Sequence, residues 1–245
     1  MIVREALGFV RGGDAKETMG IGREKLIGDF VEEMNKVPGK RFLLSSDDKT
    51  GVFLKAIEVG RPEIVRLLLS DPAVNPAVRK NAPIAVAAMN GNVEIIDMLL
   101  KDERVKPEDN HNEALYQAAK DGQLAVVQRL LQDPRVNPAD AKESLDKNYN
   151  VTYEDNYIIL ETAANGHSEV VKELMKDPRV KIKRTIQLVA SKLSKVPKGF
   201  SGLPISQSAI DKWSPILDYL LSSTKAKEEL TDKEMSRFKE KINKV

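Results

Sequence analysis

Few residues in this 245-residue chain are of a type and placement that could carry covalent chemistry. The two histidines, His111 and His167, are the side chains whose ordinary pKa lies nearest neutrality. A metal set or a general base would need convergent partners, and these two stand in different segments at unlike positions, so both are read as structural or solvated. Cysteine is absent, which removes disulfides, thiolate metal sites and thiol nucleophiles and agrees with a reducing compartment. Near the start, Gly12-Gly13 and Gly20-Ile21-Gly22 suggest a phosphate-binding loop, but no lysine-serine ending follows and no strand pattern precedes it. No catalytic residue, metal ligand or cofactor is assigned on these grounds.

What remains is the chemistry of recognition, in two places. Tyr149, Tyr153 and Tyr157 put three of the chain's five tyrosines within nine residues. Tyrosine buries a large rigid ring at low entropy cost, which suits a binding hot spot, although the same rings would also pin an insertion onto a scaffold. The second place is Arg179 to Lys198, with seven basic residues (Arg179, Lys181, Lys183, Arg184, Lys192, Lys195 and Lys198) and no acidic one. Such a stretch docks an acidic ligand or forms a solvated edge. No aromatic residues interleave with its charges, which favours the edge and speaks against nucleic acid.

The elements that would position these residues are repeated. Asn112 to Pro138 aligns with Asn81 to Pro107, with Thr50 to Pro76 and with Asn156 to Ile182. Each unit carries small residues at adjacent positions (Ala87-Ala88, Ala118-Ala119, Thr162-Ala163) and then a glycine at Gly60, Gly91, Gly122 or Gly166, which ends a first helix in the left-handed conformation. Apolar pairs four residues apart follow, such as Val126-Val127 with Leu130-Leu131, the stripe of a second helix with one buried side. One helix pair cannot cover its own apolar face, so neighbours must stack.

The unit resembles the ankyrin repeat. Ala82-Pro83-Ile84-Ala85-Val86-Ala87-Ala88-Met89-Asn90-Gly91-Asn92 follows the family's Thr-Pro-Leu-His-x-Ala-Ala-x-x-Gly-His pattern, and Gly166-His167 keeps its closing dipeptide. The family's histidine is replaced by Leu54, Ala85, Tyr116 and Leu160, and the fingers read as Asp133 to Pro138 does. That wording is similar to divergent repeats of amoebal, giant-virus and intracellular-bacterial proteins. Glu228-Glu229 and Glu234 resemble the acidic export tail of bacterial effectors. The resemblance implies an all-α solenoid of stacked antiparallel helix pairs that binds a partner protein, possible host protein included, on a concave side of finger tips and first helices. Carried over position by position, that side comprises Lys55, Glu58, Val86, Met89, Tyr116, Gln117, Lys120, Asp121 and Glu161, joined by Tyr149 and Tyr153 of the insertion and Tyr157 just after it.

Domain organisation follows. Residues 1–48 are expected to form a helical N-terminal cap, with helices over 2–10 and 23–37, and 49–182 to hold four repeats with an insertion at 139–155. Residues 183–224 read as a degenerate fifth repeat, opening its second helix at Ser214-Pro215, and 225–245 as a cap helix. The net charge of +2 argues for no polyanion globally. Without an apolar run of about 18 residues or an uninterrupted leader core, the chain is expected to be a soluble, cytoplasmic monomer, or to act in a host cytosol if exported. An alternative keeps an enzyme's chemistry in the non-repeat ends, but neither end gathers a nucleophile and base.

Overall fold

The computed structural model describes residues 46–145, 151–194 and 207–243. The expected N-terminal helices, the glycine-rich link, Tyr149 and the connector 196–206 fall outside the described residues. In order, the helices are α1 (Ser46–Val59), α2 (Pro62–Leu69), α3 (Val78–Met89), α4 (Val93–Leu100), α5 (Asp109–Lys120) and α6 (Leu124–Leu131). After strands β1 (Ala141–Leu145) and β2 (Val151–Asp155) come α7 (Tyr157–Asn165), α8 (Ser168–Leu174), α9 (Lys183–Ser194), α10 (Gln207–Ser222), α11 (Thr224–Glu229) and α12 (Asp232–Asn243).

Two compact units divide the chain, one of residues up to 87 with 94–105, the other of 88–93 with 106 onward. In the first, α1 packs on α2. The apolar stripe of α2 buries Ile64, Val65 and Leu68, and that of α4 buries Ile95, Ile96 and Leu99. Pro62 opens α2, where its missing N–H costs no helical bond. Arg66 Nη2 reaches Glu94 Oε1 at 2.7 Å, and Arg104 Nη1 donates to the Val74 carbonyl at 3.0 Å. Consecutive repeats are thereby tied at both the helix and the finger.

The second unit shows the stacking directly. Helices α5, α7 and α9 pack in succession, as do α6, α8 and α10, each first helix also touching its own second helix. Val126, Val127 and Leu130 of α6 and Val170, Val171 and Leu174 of α8 fill the seam. Helix α12 packs on α9 and α10. Helix α10 begins at Gln207, seven residues before Ser214, and runs through Pro215. Trp213 Nε1 donates to the Ala164 carbonyl at 3.3 Å.

The turn from α5 to α6 shows why a glycine is needed. Gly122 sits at φ +74°, its N–H meeting the Ala119 carbonyl while Gln123 N–H bonds the Ala118 carbonyl at 2.8 Å, which satisfies the last free carbonyls of α5. At the other end of α5 the backbone does something the repeat pattern does not announce. Asn110, His111 and Asn112 all adopt left-handed angles, as do Arg79, Lys80 and Asn81 before the body of α3. Non-glycine residues resist that region, by roughly 1–2 kcal/mol each, so bonds elsewhere must hold the turn.

The insertion between the third and fourth units, expected as a loop, is a two-stranded antiparallel hairpin pairing Ala141 with Asp155 through to Leu145 with Val151. Val151, Thr152 and Tyr153 are strand formers.

Candidate recognition surface

The surface is built from the first helices. Residues at the asparagine and two adjoining repeat positions turn inward: Asn112, Leu115 and Ala118 of α5 are buried, as are Asn156, Ile159 and Thr162 at the corresponding positions. Residues one position off point elsewhere. Tyr116 and Gln117 are half-buried, and Lys120, Asp121 and Glu161 are exposed.

Tyr116 is the centre of what the second unit brings together. Its ring lies 5.1 Å from that of Tyr157, centroid to centroid, tilted by 39°. Lys120 Nζ stands 5.7 Å from the Tyr116 centroid, a cation over a ring face that contributes roughly 0.5–1 kcal/mol at an exposed site. Gln117 Nε2 donates to Glu113 Oε1 at 2.6 Å and so settles that carboxylate beside the rings. Burial pushes the Tyr116 phenol above its ordinary pKa, and the negative charges of Glu161, Glu113 and Asp121 add to the rise. The result is a partly covered aromatic ring with one cation and three carboxylates around it.

Tyr157 departs from the sequence expectation. Expected to present its ring to a partner, it is 2 % exposed, and its hydroxyl donates to the His111 carbonyl. Burial drives its phenol well above the usual range, with Glu113 and Asp140 next in effect. It backs Tyr116 rather than facing a partner, because it is the first residue of α7 and not part of the hairpin. The signal was available in the repeat register, where Tyr157 aligns with Glu113 at the residue following the asparagine. Tyr153 lies on β2 opposite Glu143.

The other expected residues are not all gathered at this place. Met89 is 40 % exposed at the end of α3, and its carbonyl accepts from Gln123 Nε2 at 3.2 Å. Val86 is half-buried on α3. In the first unit Lys55 Nζ bonds Glu58 Oε1 at 2.8 Å along α1, and Val59, 42 % exposed, follows them.

Sequence reasoning missed the asparagines. Asn112 is 2 % exposed, donates from Nδ2 to Asp140 Oδ2 at 2.8 Å, and accepts at Oδ1 from Asn137 N at 2.8 Å. Asn156 Oδ1 accepts from Lys181 N at 2.9 Å across the same 25-residue interval. These bonds hold each finger to the start of the preceding first helix.

The basic stretch is less available than its composition implies. Arg179 is a correction to the expected acidic-ligand set: its Nε and Nη2 bond Asp177 at 3.0 and 2.7 Å and Nη2 reaches the Val136 carbonyl at 3.3 Å. Asp102 with Arg104 and Asp133 with Arg135 form the same fork, and in all three the arginine bond holds the carboxyl below its usual range. Lys183 Nζ lies 3.0 Å from Glu234 Oε1. Lys181 and Arg184 remain exposed.

The acidic tail also has work within the fold. Glu229 accepts from Ile182 N and Lys183 N at 2.9 and 2.8 Å, closing the start of α9. Glu234 accepts from Thr231 N at 2.9 Å, and that bond, with Lys183, holds its carboxyl down to about 2. Lys225 Nζ reaches the Val180 carbonyl at 3.0 Å, as Arg104 and Arg179 reach Val74 and Val136.

Among the described residues no group of three or more histidine, aspartate or glutamate side chains could hold a metal ion, and no helix is long and apolar enough to cross a membrane. No curated protein matches the chain. Residues 52–140 match the family model for ankyrin repeats, in three copies. With the helix pairs and the left-handed glycines in view, residues 52–140 are an ankyrin-repeat array.

Proposed function

We propose that the chain is a non-enzymatic scaffold that holds a partner protein on the concave side of its first helices, with Tyr116 at the centre and Gln117, Lys120, Asp121 and Glu161 around it. Ankyrin repeats are protein-interaction modules, which supplies the coarse function. The observation that carries the finer one is the Tyr116 ring, half-exposed and supported from behind by the buried Tyr157. A ring already held in place loses little freedom on binding, and an aromatic anchor rimmed by charges is the usual composition of a hot spot. An interface of ordinary size covers about 800 Å² per partner, which demands several repeats rather than one.

An effector acting on a host protein is the narrower form of this reading. Its support is the finger wording alone, since Glu229 and Glu234 of the acidic tail are engaged inside the fold.

The test is titration calorimetry on a partner recovered with the parent protein. Lys120→Glu is expected to weaken binding by about tenfold or more while Tm changes little, and Tyr116→Ala to weaken it as much while lowering Tm through the lost ring contact with Tyr157. Binding equal to the parent's in both variants would put the partner elsewhere.

A further inference from the structure

The interface between the third and fourth repeats and the interface that follows differ at one charged position. At the first, Asn112 uses both ends of its amide, Oδ1 taking Asn137 N–H and Nδ2 giving to the Asp140 carboxylate, 28 residues on. At the next, Asn156 takes Lys181 N–H in the same way, but the residue 28 positions on is Arg184. An acceptor has been exchanged for a donor. Asn156 Nδ2 consequently has no hydrogen-bond partner among the described residues, although the side chain is 7 % exposed.

A second group points the same way. Thr185 is fully buried, and its hydroxyl is without a partner among the described residues. Asn156, Thr185, Lys181, Lys183 and Arg184 line one open cleft of about 640 Å³ between α7 and α9. Glu229 is the carboxylate among its lining residues, and both its oxygens already take the N–H groups that open α9. The cleft therefore collects an amide, a hydroxyl and cations, with its own acid committed to backbone.

We propose that this cleft seats a carboxylate from an acidic side chain of a peptide partner, in the role that Asp140 plays one interface earlier. The proposal rests on the reading of the chain as a protein-binding module. A single carboxylate is favoured over a phosphate dianion because the Glu229 charge lies in the same cleft and repels a second negative charge. A buried hydroxyl and a largely covered amide without acceptors favour a ligand that supplies them, since an unmade bond leaves the hydroxyl's desolvation uncompensated.

The experiment uses the isotope-labelled full chain and blocked aspartate (N-acetyl, N-methylamide) as probe, with blocked asparagine and inorganic phosphate alongside, read by amide NMR. Blocked aspartate is expected to shift the Asn156 side-chain amide and the backbone amides of residues 181–187, saturably. Arg184→Asp, which restores the repeat's own carboxylate, is expected to weaken that binding about tenfold or more and to raise Tm. Thr185→Val, a change of similar volume, is expected to weaken it while also raising Tm. Tyr116→Ala leaves it unchanged, so the cleft and the helix-face reading fail separately. Absence of shifts with blocked aspartate, equal shifts with blocked asparagine, a response to phosphate alone, or parental affinity in both cleft variants would each overturn the proposal.

Discussion

Tyr157 lies behind Tyr116, rings 5.1 Å apart, one buried and the other half-exposed. The pair joins two consecutive repeats, and it converts a flexible surface tyrosine into a supported one. Tyr157→Ala is expected to cost about 3–5 kcal/mol of unfolding free energy, as other large-to-small core changes do. Tyr157→Phe keeps the ring and loses only the bond to the His111 carbonyl, for about 1 kcal/mol. Denaturant melts of the two variants separate packing from hydrogen bonding; equal losses would mean the ring contributes little.

Asn112 is the second test of the repeat interface. Asn112→Ala strands the Asn137 N–H, removes one bond from the Asp140 carboxylate and leaves alanine at φ +57°, so a loss of about 2–4 kcal/mol is expected. Asn112→Gly removes the same bonds but relieves the left-handed backbone, and should recover roughly 1 kcal/mol of that. A glycine variant no more stable than the alanine one would show that the backbone angle is not what asparagine is there to hold.

Gly122→Ala combines two penalties. The residue sits at φ +74°, and an added Cβ would stand 2.5 Å from His167 Nδ1. Both changes put alanine at φ +74°, for about 1–2 kcal/mol of backbone strain each, but an imidazole cannot slide aside as the glutamine end near Gly91 can, so Gly122→Ala should lower stability more than Gly91→Ala. Thermal melts of the two variants check the order.

The finger forks set an acid limit. Asp102, Asp133 and Asp177 are held below their unfolded pKa, chiefly by Arg104, Arg135 and Arg179. A depressed carboxylate contributes stability that is complete above the unfolded value of about 3.9 and is lost as pH falls through the folded value. Glu234 acts likewise between its unfolded value of about 4.3 and a folded value of about 2. Tm should hold as pH drops toward about 5 and fall below about 4. Asp133→Asn should lower Tm at neutral pH and flatten that acid limb; an unchanged limb would exclude the forks as its source.

The helix pairs were legible because they are written in apolar spacing: Val126-Val127 with Leu130 predicts a stripe, and the stripe is buried. Gly122 and Gly166 were legible because few other residues end a helix that way. The asparagine bonds were not, since they join polar residues 25 and 28 positions apart and apolar periodicity carries no trace of them. Tyr157 was misplaced for a related reason. Tyrosine suits cores and interfaces alike, and only the repeat register, which sets it at the first turn of α7, distinguishes the two.

The central claim is that the first-helix face around Tyr116 meets the partner. A photocrosslinking residue placed at Lys120, and in a second protein at the exposed Ala125 of α6, measures that contact with a recovered partner. The account predicts an adduct from position 120 that Tyr116→Ala diminishes, and none from position 125. Equal adducts from both positions, or an adduct from 125 alone, would contradict it.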